Sequence, residues 1–145
     1  NGIIDIPRPQ KGYFETALGQ LGENRFDVVW CRNALDHSID PLLGLYNLIA
    51  MCRHGGRLRL SFHPNEADGG NYGGLHQWNL NKQDDKIVLS QKGLKVDLTP
   101  LLSQQEILSV SQQNHTELDK GDVTITLKKN CDPNLSQAMM WASAS

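Results

Sequence analysis

Residues 26–62 constrain the fold more than any other stretch of the chain. Phe26-Asp-Val-Val-Trp30 is a short apolar run. A run of that kind suits a strand covered on both faces, as in a parallel sheet. Its sequel, Cys31-Arg-Asn-Ala-Leu-Asp-His37, is a loop rich in groups that bond or titrate. Asp40-Pro41 then opens a helix, because Asp accepts from the free N–H groups of a first turn and Pro fits the first helical position. Leu42, Leu45, Tyr46 and Ile49 fall on one face at helical spacing. His54 and Gly55 predict the C-terminal end, with glycine taking positive φ. Arg57–Phe62 reads as the next strand, with Leu58, Leu60 and Phe62 on one face and Arg57, Arg59 and Ser61 on the other. Two strands joined by a helix make a βαβ unit, in which the strands run parallel and cross over right-handed. The two arginines predict solvent access on their face or a carboxylate partner.

The remaining segments fit around that unit. Pro7 and Pro9 mark residues 1–9 as an extended lead-in. Gln10–Phe14 is predicted as a short strand and Glu15–Leu21 as a short helix ending near Gly22. Residues 63–75 are a loop, broken by Pro64, Gly69-Gly70 and Gly73-Gly74. Lys86–Ser90 and Leu94–Leu98 flank Gln91-Lys92-Gly93 as a β-hairpin does. Thr99-Pro100 predicts a brief helix to about Gln105. Glu106–Leu118 and Val123–Lys128 read as a second hairpin around Lys120-Gly121. Asp132-Pro133 predicts a last helix to about Ala142, packed through Met139, Met140 and Trp141. At 145 residues the whole is read as one α/β domain, with residues 131–145 as a tail.

Composition excludes several function classes. The net charge is −2, with 14 basic and 16 acidic residues and no long block of like charge, so nucleic-acid binding driven by positive charge is disfavoured. No apolar stretch approaches the roughly 20 residues that cross a membrane. The start has no basic region followed by an apolar one, and it lacks Met, so the chain reads as a processed or cut piece. Cys31, Cys52 and Cys131 are odd in number and irregularly spaced, which argues against a disulfide framework and for the cytoplasm. Cys52-Arg-His54 is half a zinc site without a second Cys/His pair, so no metal is expected there.

The FDVVW strand, the Asn33-Ala-Leu-Asp-His37 loop, the Asp40-Pro41 helix and His54-Gly-Gly56 together resemble class I S-adenosylmethionine-dependent methyltransferases. Asn65-Glu-Ala67 and Gly74-Leu-His-Gln-Trp-Asn79 narrow the resemblance to a subgroup with NALDH and GLHQWN segments. The order of these pieces spans residues 10–128. The resemblance implies a doubly wound, Rossmann-like sheet of seven strands whose last two form an antiparallel hairpin. Gln10–Phe14 would be the third strand, Phe26–Trp30 the fourth and Arg57–Phe62 the fifth. It also implies S-adenosylmethionine as cofactor. The family's cofactor half starts with a glycine-rich turn and a strand ending in an acid, and neither precedes Phe26. Backbone approach needs the glycines and the ribose hydroxyls need the acid, so tight binding by this chain alone is not expected. The chain therefore resembles the C-terminal part of such an enzyme, with the N-terminal cofactor-binding half absent.

Site residues follow residue by residue. By resemblance, Glu15 matches an acid beside the adenine, and Cys31, Arg32 and Asn33 match the loop lining the cofactor cleft. Glu15 also reads simply as a solvated acid at a helix start. Asp36-His37 is the candidate catalytic pair, since imidazole as a type titrates near neutrality and serves as a general base. The competing reading has His37 packing or capping the next helix, and adjacent side chains rarely face each other, so Asp36 need not orient it. His63, Asn65, Glu66, His76 and Trp78 bracket the glycine-rich loop as an acceptor pocket with an aromatic wall, or as an ordered surface loop around a buried Trp.

Two functions compete. One is methyl transfer to an acceptor that the sequence does not name, by part of an enzyme whose other half lies elsewhere. The other is a non-catalytic methyltransferase-like module for binding or assembly. Loss of the first strands would bare one edge of the Phe26–Trp30 strand. The expected partners are therefore a second copy of the chain, as a homodimer, or the missing N-terminal half; residues 1–9 or the tail are the alternatives for covering that edge.

Overall fold

The computed structural model describes residues 9–113 and 121–136. Its organising piece is the predicted unit: strand β1 (Phe26–Arg32), helix α2 (Pro41–Met51) and strand β2 (Cys52–Phe62), preceded by helix α1 (Phe14–Leu21). β1 and β2 are parallel, pairing Val29 with Leu58 and Cys31 with Leu60. The Asp40 side chain accepts from the Leu43 N–H at 3.0 Å and so caps α2, with Pro41 in its first turn.

Beyond β2 come a one-turn helix α3 (Glu66–Gly69), strands β3 (Asn79–Gln83), β4 (Lys86–Gln91) and β5 (Leu94–Asp97), and a short helix α4 (Thr99–Leu102). Strands β6 (Glu106–Gln113) and β7 (Asp122–Lys128) end the described architecture. The main sheet has the order β1-β2-β7-β6, and β7 runs antiparallel to both its neighbours. A separate antiparallel sheet, β3-β4-β5, is inserted between β2 and β6. The α/β class, the parallel pair and the C-terminal antiparallel hairpin are thus as read from the sequence.

The core lies on one face of the main sheet. Val29, Cys31, Leu58, Leu60, Phe62, Val123, Ile125 and Leu127 are buried there. They share one apolar cluster with Leu45, Leu48 and Ile49 of α2 and with Leu80, Ile87 and Leu89 of the small sheet. The expectation that Phe26–Trp30 is covered on both faces fails. Val28 and Trp30 are 63% and 62% exposed, and among the described residues no element packs over them to bury them. Arg57 and Arg59 lie on this open face, as their alternation predicted, and the Arg59 guanidinium sits 5.7 Å from the Trp30 ring centre.

Other boundaries also move. Gln10–Tyr13 is not a strand, and α1 begins at Phe14. Asn47 Nδ2 on α2 donates to the Phe14 and Glu15 carbonyls, so tertiary contact and not aromatic β-propensity decides that segment. Helix α2 stops at Met51, and His54-Gly-Gly56 belongs to an irregular part of β2. The helix after Thr99-Pro100 ends at Leu102. Strand β3 was not predicted. The last helix and the end of the Glu106–Leu118 strand lie mostly outside the described residues, as do Met139, Met140 and Trp141. Among the described residues no helix is long and apolar enough to cross a membrane.

Candidate functional site

The carboxyl ends of β1 and β2 lie side by side, because the strands are parallel and neighbouring. The chain leaves β1 through Asn33, whose φ of 45° turns it sharply, and enters a single 3-10 turn, Leu35–His37. It leaves β2 through His63 and Pro64 into α3 and the glycine-rich turn, which ends at His76. The Asn33 N–H donates to the Ser61 carbonyl at 2.8 Å, and the Gln77 N–H donates to the Asp36 carbonyl at 3.3 Å. Two segments some forty residues apart are thereby joined.

Their side chains form one cluster. The His76 Nδ1 lies 2.8 Å from Asp36 Oδ2. His37 Nε2 lies 3.4 Å from the same oxygen and 3.2 Å from His76 Nδ1. The imidazoles meet edge to face, with ring centres 4.7 Å apart. Glu66 Oε2 stands 3.4 Å from His76 Nδ1, and its Oε1 accepts from Asn33 Nδ2 at 3.2 Å. Asp36 is 4% exposed, whereas the two rings are half-buried. The hydrogen bond with Asp36 raises the His76 pKa above its ordinary value; burial opposes this, and the charges of Glu66 and Asp36 add to it. The adjacent pair does converge here, contrary to the expectation that Asp36 need not meet His37. Asp36, His37 and His76 are also the described His/Cys/Asp/Glu side chains whose donor atoms crowd together closely enough to surround one ion.

The other sequence-derived candidates are placed differently. Glu15 Oε1 accepts from the Asp40 N–H at 2.8 Å, which fixes the entrance of α2. Cys31 is buried in the core, and burial pushes its thiol up to about 12. Arg32 is exposed. Asn33 bridges the loops: its Oδ1 accepts from the His63 N–H at 3.3 Å while its amide holds Glu66. The His63 ring is paired with the Asp122 carboxylate at the start of β7. Asn65, with φ of 58°, exchanges hydrogen bonds with Asn81: its N–H donates to Asn81 Oδ1 at 3.1 Å and its Oδ1 accepts from Asn81 Nδ2 at 2.7 Å. Trp78 packs against the core cluster.

Sequence reasoning missed Asp122, Asn79 and Asn81. Asn79 Oδ1 accepts from the Asp68 N–H at 3.1 Å, so the two buried amides pin α3 to β3. Their one signal was the Asn79-Leu-Asn81 alternation, which puts two amides on one face of a strand. For Asp122, the signal was an acid at the head of the Val123-Thr-Ile-Thr-Leu127 strand.

Glu15, Cys31 and Asn33 are engaged inside the chain, which leaves Arg32 alone of the four candidate cofactor residues facing solvent unengaged by the core or these bonds.

By sequence, no protein family matches the chain, and no curated protein does. Solved structures do. One is the 1,6-didemethyltoxoflavin-N1-methyltransferase of Burkholderia thailandensis, with 1,6-didemethyltoxoflavin and S-adenosylhomocysteine bound. It is 13% identical with a TM-score of 0.47, over 76% of this chain and 46% of that one. Another is an S-adenosylmethionine-dependent methyltransferase from Clostridium acetobutylicum, 14% identical with a TM-score of 0.43, over 74% and 60% of the respective chains. A third is the putative methyltransferase complexed with the Trm112 activator of Haloferax volcanii. It is 10% identical with a TM-score of 0.45, over 83% and 60%. The chain thus spans about half to three-fifths of the length of these matched proteins.

Proposed function

We propose that the chain is the acceptor-side part of an S-adenosylmethionine-dependent methyltransferase, and that Asp36, His37, His76 and Glu66 meet the methyl acceptor. The observation that carries this reading is the position of the cluster. It stands outside the carboxyl ends of two parallel strands, where ligands bind in open α/β sheets. The motif order from FDVVW to GLHQWN supports the same assignment.

In this reading His37 takes the proton of an acceptor hydroxyl or amine. Its side chain is 28% exposed, and its Nε2 faces Asp36 and His76. Asp36 and Glu66 stabilise positive charge on the imidazole pair as the proton arrives. The test is calorimetry with S-adenosylmethionine and S-adenosylhomocysteine. Micromolar binding supports the reading, and acceptor screening with Asp36→Asn and His37→Ala variants then follows. No binding at millimolar ligand removes it for the chain acting alone.

The open face of β1 favours a second reading, a non-catalytic assembly module. Val28 and Trp30 are exposed on an edge strand that, among the described residues, pairs only with β2. Edges of this kind are normally covered. Sedimentation distinguishes the cases: a homodimer that Trp30→Glu dissociates supports assembly through this face, and a monomer at high concentration opposes self-assembly.

A further inference from the structure

We propose that Asp36, His37 and His76, with Glu66 beside them, form a binding site for a divalent first-row transition-metal ion of the zinc class. The inference needs neither a methyl donor nor an acceptor, so it stands apart from the methyl-transfer reading.

Geometry is the first support. Asp36 Oδ2, His37 Nε2 and His76 Nδ1 form a triangle with edges of 3.4, 2.8 and 3.2 Å. A point about 2 Å from all three corners exists, just off the plane, and this is the usual length of zinc–nitrogen and zinc–oxygen bonds.

Proton counting is the second support. If His76 Nδ1 carries the proton, it points at Asp36 Oδ2 and offers nothing further to His37. If His37 Nε2 also carries one, two N–H groups face each other across 3.2 Å. If it does not, its lone pair faces the carboxylate oxygen across 3.4 Å. With Asp36 ionised, the two facing nitrogens bring at most two protons, so protons alone do not satisfy all three edges separately. A cation at the centre does, with both facing nitrogens unprotonated and each imidazole's proton on its other nitrogen.

The third support is unmet negative charge. Asp36 Oδ1 and Glu66 Oε2 are buried, and neither accepts a hydrogen bond. Buried carboxylate oxygens without donors are costly, and an ion beside them offsets that cost. Glu66 is held by Asn33, and the Asp36 loop by the Gln77 N–H, which supplies the outer support that ligands need.

The donor set selects the ion. Two imidazoles with one or two carboxylates suit Zn²⁺, Fe²⁺ or Co²⁺, whereas Mg²⁺ and Ca²⁺ prefer all-oxygen shells. Both rings are half-exposed, so an ion has an entry path and keeps at least one position for an outside ligand. His37 is a base in the metal-free protein and a ligand in the loaded one.

The test is titration of the chelator-treated chain with ZnCl₂ by calorimetry and with CoCl₂ by visible absorption and proton NMR. One ion should bind at micromolar concentration or tighter. His37→Ala and His76→Ala should each weaken binding at least ~100-fold, and Glu66→Gln about 10-fold. His54→Ala and Cys131→Ser should change nothing; they control for the exposed group in which His54 faces Asp132 beside Cys131. Independently of any variant's folding, paramagnetic Co²⁺ must displace the ring-proton signals of His37 and His76 and spare those of His54. Binding no tighter than millimolar overturns the proposal. So does binding that tracks His54 or Cys131, or cobalt that leaves His37 and His76 untouched. None of these outcomes bears on S-adenosylmethionine binding, which is measured separately.

Discussion

Gly55 and Gly56 stand next to each other, yet alanine at each should fail for a different reason and by a different amount. Between the Phe26–Cys52 and Val28–Arg57 pairs, β1 spends Asp27 alone while β2 spends Arg53 through Gly56. The surplus is looped out and stitched down by two bonds, Gly55 N–H to the Lys129 carbonyl at 2.8 Å and Lys129 N–H to the Gly56 carbonyl at 2.9 Å. Gly55 has φ of +74° and open space around its missing Cβ. Alanine there bears only the left-handed backbone cost, about 1–2 kcal/mol, and asparagine bears less. At Gly56 a Cβ would lie 2.9 Å from the Arg53 carbonyl, 2.9 Å from the Asp27 carbonyl and 2.9 Å from Cys52 Sγ. Two of these are backbone atoms of the paired strands, so no rotamer change relieves them. Overpacking of this kind costs about 1–3 kcal/mol, and the buried backbone setting puts Gly56→Ala at about 3. For a chain near this size that is roughly 6–12 °C in Tm. Urea denaturation followed by tryptophan fluorescence measures both variants. The reasoning is refuted if Gly56→Ala is no worse than Gly55→Ala, or if asparagine is tolerated at 56 as well as at 55.

Asp40→Ala removes the cap on the Leu43 N–H and should cost about 1 kcal/mol, with Asp40→Asn restoring most of it in the same denaturation assay. The Lys129 hydrogen bond holds the Asp132 carboxyl below the ordinary carboxylate range, with burial opposing and the Lys129 charge, Asn24 and His54 helping. A lowered folded pKa gives stability that is present above the unfolded value near 3.9 and lost as pH falls through the folded value. Asp132 is 67% exposed, so solvent screening keeps the term under about 1 kcal/mol. Urea midpoints should therefore show wild type above Asp132→Asn at pH 6 and the gap closing near pH 2.5; a gap constant with pH would contradict the assignment. Iodoacetamide at pH 8 should label Cys131 and spare Cys31, whose buried thiol is pushed up to about 12, and mass spectrometry of the folded protein showing rapid Cys31 labelling would overturn that.

Helix α2 was legible because independent local signals agree: a capping Asp, a Pro that fits the first turn, and apolar residues at helical spacing. The β4–β5 hairpin was legible because Gly93 stands at a tight-turn position between two strand-like runs, and Lys92 and Gly93 do take positive φ there. Strand β7 showed itself in the alternation of Val123, Ile125 and Leu127, all buried. What misled was a local signal with a non-local use. Gly55 does take positive φ, but in a strand irregularity tied to Lys129 and not at a helix end. Strand β3 was invisible because its single core residue, Leu80, is flanked by two buried amides, Asn79 and Asn81, that face α3. Their burial is satisfied by the Asn65 and Asp68 N–H groups, and no sequence pattern announces such partners. Likewise Asp36-His37 was legible as a reactive pair, while its union with His76 depends on contacts across some forty residues.

The inserted β3-β4-β5 sheet takes on a purpose once those contacts are followed. His76 sits at the end of a segment with glycine at 69, 70, 73 and 74, which by itself has little to hold it in one conformation. The Asn79 and Asn81 side chains tether α3, the Tyr72 hydroxyl donates to Asp68 at 2.8 Å, and Gln91 Nε2 donates to the Gln77 carbonyl at 3.0 Å. The amide bonds run from the small sheet to the backbone on either side of His76, and the Tyr72 bond ties the turn to the Asp68 side chain. The sheet in turn is fastened by Leu80, Ile87 and Leu89, which join the core beneath the main sheet. The precision of the cluster therefore derives from apolar burial some distance away, passed through amide hydrogen bonds to a loop that has no core of its own. A site built on the β1 and β2 ends alone would hold Asp36 and His37 but leave His76 unplaced.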